Sequence, residues 1–311
     1  MPQIVAMNNG WPELATPGWL DTTTTLHMWS QIVGKTRMAR EPMLNHWWQV
    51  PLYVTACGLG TPVLHDGDRA FEIEFDLVRH ALRVRDSAGR TPSFPLEPMT
   101  VAEFYRRYAA TLAEINVELD IWPHPVEVAE AIPFQGDELH RAYDRSWANA
   151  LFTVLLRTDA ILKEFRGGFI GKASPVHFFW GGFDLAVTRF SGRPAPRYAG
   201  VIPNCPPWVM IEAYSHEVSS AGFWLGNAQF PEAAFYSYAY PEPEGFANAT
   251  VKPESARYDG TLREFILPYE AVRRSEHPRR DVQAFLQTTY EAAATLGRWD
   301  RKALERQEGQ P

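Results

Sequence analysis

Ser174–Arg193 reads SPVHFFWGGFDLAVTRFSGR, with His177, Asp184 and Arg189 set among Phe178, Phe179, Trp180, Phe183 and Phe190. Ionisable side chains inside an aromatic run need partners, a ligand or a metal, because a bare charge is costly to bury there. We read the stretch as one strand that carries polar chemistry through an apolar core.

Upstream of it, Asp144-Arg145-Ser146 forms a capping cluster for a helix bearing Leu151, Phe152, Leu155, Leu162 and Phe165, which Gly167-Gly168 stops. Downstream, IEAYSHEVSSAGFW (211–224), AAFYSYAY (233–240) and REFILPYE (263–270) read as strands. An amphipathic helix through Val282, Phe285, Leu286, Thr289, Ala293 and Leu296 closes this half. The first half has the same kinds of parts. Asp21-Thr22 would cap a helix with Leu26, Trp29, Val33 and Thr36 on one face. NHWWQVPLYVTACGL (45–59) reads as a strand interrupted by Pro51, and FEIEFDLV with ALRVRD as a hairpin. A helix follows from about Thr100 to Ile115, and ELDIW (118–122) adds a strand.

The halves also align. Placing His46 on His177 matches NHWWQVPLYVTACGLGTP to VHFFWGGFDLAVTRFSGR without a gap, each with a His, two aromatics and an interrupter, Pro51 or Gly182. The expectation is an α+β fold, internally duplicated, in which two similar helix–antiparallel sheet–helix lobes pack as one body. The lobes would span 1–135 and 136–299, followed by a polar tail, 300–311.

Of 311 residues, 45% are hydrophobic and 22% charged, with 11 Trp, 12 Tyr and 18 Phe, which describes a folded chain with an aromatic surplus. The net charge of −7 comes from dispersed acids, and no stripe of Lys and Arg offers itself to a phosphate backbone, so nucleic acid is not an expected partner. Cys57 and Cys205 lie far apart without a CxxC spacing, which argues against a disulfide framework or a thiolate zinc site. Neither a signal-peptide pattern at the N-terminus nor an apolar run of membrane-spanning length is present, so a cytoplasmic protein without a membrane partner is expected.

The sharpest chemical set is His177, Asp184, His216 and Glu217. Two imidazoles and a carboxylate suit acid–base work, and His177, His216 and Glu217 are also the donors a divalent metal would take. On a strand the adjacent His216 and Glu217 would point to opposite faces, and no HExxH motif is present. The bland reading makes both histidines core residues bonded to backbone and pairs Asp184 with Arg189 or Lys172. His46, Trp48, Trp180, Arg189, Tyr214 and Trp224 are the residues expected to line a pocket for a planar or sugar-like ligand. Gly34-Lys35 and Gly171-Lys172 lack the glycine-rich lead of a phosphate loop, and no GxSxG elbow supports a serine nucleophile.

WPELATPGWLDTTTTLHMWSQIVGKTRMAREPMLNHWWQVPLYVT, FRGGFIGKASPVHFFWGGFDLAVTRFSGR, EAYSHEVSSAGFW and AFYSYAYPEPEGF together resemble the bacterial DUF5996 family over about Trp11 to Trp299. The chain departs from that pattern at Cys57, where Arg is usual, and at Leu225, where Pro is usual. The resemblance implies no activity, cofactor or residue role. The expected function is a small-molecule enzyme with a His/Glu acid–base site, metal-assisted or not, in an aromatic pocket. The alternative is a non-catalytic protein that binds a small molecule in that pocket.

Overall fold

Residues 10–306 are described by the computed structural model. In chain order α1 (Trp19–Arg40) leads to a 3-10 turn at Asn45–Trp47, then to β1 (Tyr53–Val54), β2 (Gly58–Gly60), β3 (Leu64–Asp66), β4 (Arg69–Asp76), β5 (Ala81–Asp86), β6 (Ser93–Pro95) and α2 (Val101–Glu114). After a long irregular segment come α3 (Arg145–Gly167), β7 (His177–Phe179), β8 (Asp184–Pro194), α4 (Pro207–Ala213), β9 (His216–Trp224), β10 (Ala234–Tyr240), β11 (Arg257–Asp259), β12 (Glu264–Pro268), α5 (Tyr269–Arg274), α6 (Pro278–Leu296) and α7 (Arg301–Leu304). The first six strands form one antiparallel sheet in the order β1-β2-β4-β5-β6, with β3 on β4, and the rest form a second, β11-β12-β10-β9-β8-β7. Leu52 bridges them by pairing with Phe178 on the free edge of β7. The class is α+β.

Local chemistry explains the elements that match expectation. Thr100 accepts the Glu103 N–H and Asp144 those of Ser146 and Trp147, so both helices start where their caps lie. In the β4–β5 hairpin, Ile73 faces Val84 and Phe75 faces Leu82, all four buried, as the alternation requires. α1 instead begins at Trp19, because Gly18 takes a left-handed φ of 75° ahead of it. Asp21 therefore sits in the first turn, where its charge meets the helix dipole. One apolar core contains Trp29, Phe75 and Phe104 as well as Leu185, Phe223 and Phe285.

Other expectations are corrected. NHWW is a turn rather than a strand: His46 and Trp47 adopt φ of 59° and 61°, which no strand accommodates. At His177 the chain is strand, so the two His-aromatic segments differ in conformation, and the pairing orders of the sheets differ too; the alignment does not establish a duplication. The opening stretch is a hairpin that turns at Trp180–Phe183, with Phe179 paired to Asp184 and Phe183 at φ 58°. ELDIW forms no strand, and 211–224 begins inside α4 before β9 starts at His216. The tail is ordered into α7, whose neighbour Glu305 accepts from the Tyr290 hydroxyl; residues 307–311 lie outside the described residues. Among the described residues no helix is long and apolar enough to cross a membrane.

Candidate active site

A cavity of about 400 Å3 opens over one face of the second sheet, between β8–β10, α1, the 3-10 turn, residues 122–127 and α4. The two-residue period of the strands decides what it meets. Asp184, Ala186, Thr188 and Phe190 of β8, Val218 and Ser220 of β9, and Tyr236 and Tyr238 of β10 line it. The intervening Leu185, Val187 and Phe235 enter the main core. Trp47, Trp48, Trp122, Trp180 and Trp208 supply the aromatic walls, and Trp122 and Trp208 remain 53% and 64% exposed at the opening.

Two carboxyl groups converge on the Gly181-Gly182 turn. A side chain on Gly181 would start 2.1 Å from Glu127 Oε1; one on Gly182 would start 2.8 Å from Asp184 Oδ1 and 3.8 Å from Glu127 Oε2. The glycines are therefore needed for space, since the carboxylates occupy the room their side chains would fill. Glu127 is an exposed residue whose carboxyl end lies against the Gly181-Gly182 turn; the protein packed around the carboxyl first, and the Asp184 charge second, push its pKa up to about 7. Burial likewise raises Asp184 to about 6, against the pull of the Tyr236 hydroxyl, which donates to its Oδ2. Burial holds Tyr236 and Tyr214 well above the ordinary phenol value and Tyr238 at about 12, so all three remain neutral donors. Tyr214 and Tyr238 hydroxyls lie 2.8 Å apart, and those of Thr188 and Ser220 2.9 Å apart, along the cavity floor.

α1 builds this corner with one face, His27, Gln31 and Lys35, spaced four residues apart. His27 Nε2–H donates to Gly181 O at 2.8 Å; burial lowers the ring to about 4, so it stays neutral. Gln31 clamps Val126 through both amide atoms, giving to its carbonyl and accepting from its N–H at 2.9 Å each. Glu127, the next residue, is held with φ of 60° while its N–H donates to Pro203 O. Lys35 is 1% exposed, lines the cavity, and has no hydrogen-bond partner among the described residues at Nζ, which lies 4.8 Å from the Trp122 ring centroid and 5.7 Å from that of Trp180. Burial lowers its amine to about 8. Non-glycine residues in left-handed backbone gather here, at His46, Trp47, Glu127 and Phe183, as strained positions tend to do around working sites.

Of the residues singled out from sequence, Asp184, His46, Trp48, Trp180 and Tyr214 line the cavity. His46 is tied off there: Nδ1–H donates to Ala213 O at 3.1 Å, and Nε2 accepts from Lys172 Nζ at 2.7 Å. Burial, then the Lys172 charge, lower its pKa.

His177, His216 and Glu217 do not converge. His177 is 1% exposed behind Trp48 and Tyr53, with neither ring nitrogen bonded to any described residue, and burial lowers it to about 3. His216 and Glu217, adjacent on β9, face opposite ways. His216 lies 3.1 Å from Ser215 Oγ through Nδ1, whereas Glu217 pairs with Arg193 at 2.6 Å and accepts from Ser191. The expected metal triad is thus corrected: among the described residues no three His, Cys, Asp or Glu side chains form a metal-binding group. Arg189 turns to the opposite face, where its guanidinium lies 3.5 Å from the Phe165 ring centroid and donates to Phe165 O. Trp224 stacks on Phe230 beyond the cavity lining.

Lys35, Glu127, Tyr236 and Tyr238 were not picked out from sequence. The readable sign was a polar His-Gln-Lys ladder on a helix buried on nearly all sides. No comparable sign marks Glu127 in its Pro-flanked segment.

Residues 11–306 match the family model of DUF5996, described as a family of unknown function. The chain belongs to the DUF5996 family. No curated protein and no solved structure matches this DUF5996 chain.

Proposed function

We propose that this DUF5996 protein is a small-molecule enzyme that works by proton transfer from a carboxyl pair, Glu127 and Asp184, on a planar or sugar-like substrate held between indoles. The observation that carries the reading is the convergence of both carboxyls over Gly181-Gly182 in a cavity large enough for a small organic molecule. Glu127, the group that gives up its proton at the higher pH, is the donor. Asp184, whose ionised form receives the Tyr236 hydroxyl, is the acceptor. The pair titrates as a unit, so activity should follow a bell-shaped pH profile. A small-molecule partner in the cytoplasm, without nucleic acid or membrane, is the setting this reading takes.

The test is turnover of a panel of 4-nitrophenyl glycosides and esters by the wild-type protein, Glu127→Gln and Asp184→Asn, with circular dichroism to confirm folding. Each variant should lose about 10²–10⁴-fold in kcat. Turnover that survives both substitutions would sink the reading. The non-catalytic alternative draws on the Tyr236–Asp184 bond, which occupies one carboxylate in the resting protein. It predicts ligand binding without turnover in wild type and undiminished affinity in Glu127→Gln.

A further inference from the structure

We propose that Lys35 anchors the anionic group of the substrate, and that the substrate class is a small planar carboxylic acid carrying a separate hydrogen-bond donor. The donor end rests on the reading of Glu127 and Asp184 as the reacting pair; the anionic end stands on Lys35 alone.

Lys35 Nζ has three hydrogens to give and, among the described residues, no acceptor to take them. A buried ammonium in that condition is unfavourable unless something else completes it. Two indole faces attract the cation but accept no ordinary hydrogen bond, so they orient the group and leave its need for an anion unmet. Among the described residues no carboxylate is paired with it. Cys205, the one group whose charge acts on Lys35, is itself pushed up to about 11 and stays a neutral thiol. Asp184 is engaged by Tyr236, and the charge acting on Glu127 is that of Asp184.

The chemistry of the partner follows from the same surroundings. Lys35 is the only Lys or Arg in the described cavity lining, and His46 there is held neutral, so one negative charge is matched and a phosphate dianion is not. The Trp122 and Trp180 rings beside Nζ favour a flat body behind the anion. Elsewhere on the cavity wall the turn offers carboxyl oxygens, which call for a hydroxyl or amine on the ligand.

Calorimetric titration with 4-hydroxybenzoate and its neutral isostere 4-hydroxybenzamide tests this on wild type, Lys35→Met and Glu127→Gln. Wild type should bind the carboxylate at least about tenfold more tightly than the amide, the scale of one charge-assisted hydrogen bond. Lys35→Met should abolish that preference, and its ligand-free melting temperature should be no lower than wild type, since an uncompensated charge has gone. Glu127→Gln should keep the preference, which separates failure here from failure of the acid–base reading. Should Lys35→Met not fold, the wild-type preference measured across pH decides, because it must fade as the amine deprotonates above about pH 8. Equal affinities, no saturable carboxylate binding, tighter binding of inorganic phosphate, or a preference retained in Lys35→Met overturns the proposal.

Discussion

Glu127 combines a left-handed backbone, a carboxyl crowded against the Gly181-Gly182 turn and a neighbouring acid. Its proton should therefore be visible in the stability of the folded state. The folded pKa of about 7 lies above the ordinary 4.5. Between those values the folded chain keeps a proton that the unfolded chain has released, so Glu127's contribution is full below about pH 4.5 and lost as pH rises through 7. Replacing it with Gln removes that loss. The melting temperature of Glu127→Gln minus that of wild type should be smallest near pH 4.5 and rise steadily toward pH 8. A difference constant across that range would mean that the carboxyl titrates normally and cannot serve as the acid. At this scale the sequence was a partial guide. Asp184 was visible as a charge among aromatics, but Glu127 reaches the site through Gln31's clamp on Val126, a contact between residues distant in the chain. Glu217, in contrast, looked equally stranded in sequence and is paired with Arg193 across a bulge in the β8–β9 register.

Among the elements, α1 carries most of the consequence. A Gly inside a helix costs about 1 kcal/mol relative to Ala, so Gly→Ala in an open helix is stabilising. At Gly34 the sign should reverse, because an added Cβ would lie 2.1 Å from Cδ1 of Trp180, whose indole N–H donates to Val50 O. Gly34→Ala should lower the free energy of unfolding in urea by roughly 1–3 kcal/mol, the range for overpacking a core. Equal or higher stability would show that Trp180 yields freely, and with it the cavity wall. The elements most legible in sequence were those with one wet and one dry face, α2, α3, α6 and the β4–β5 hairpin, where periodicity reports burial directly. α1 is buried nearly all round, so its apolar stripe located a helix while concealing the polar face that organises the site. NHWW misled for a different reason: aromatic residues favour strands on average, and nothing in their identity announces two left-handed φ angles.

At the scale of the whole molecule, the cavity is walled by segments far apart in sequence. Lys35, Trp48 and Glu127 come from the part of the chain before α3, and Asp184, Tyr236 and Tyr238 from the part after it. The aromatic segments around His46 and His177 meet, with the Trp48 and His177 rings in contact, although one is a turn and the other a strand, and similar composition was no guide to similar conformation. Their meeting point is the Leu52 bridge, where each of Leu52 and Phe178 gives its N–H to the other's carbonyl, at 2.9 and 2.8 Å. Such a reciprocal pair is a closed ring of two bonds, and the sheets cannot separate there by releasing only one. The amides of Leu52 and Phe178 should then exchange with deuterium at a common free energy of opening, close to that of the buried β8 amides at Leu185 and Val187. Protection at Leu52 well below that at Phe178 would show the bridge fraying from one side. A shared value would mean that the two sheets open as one cooperative unit, so that the seam between them parts only when the molecule as a whole comes apart.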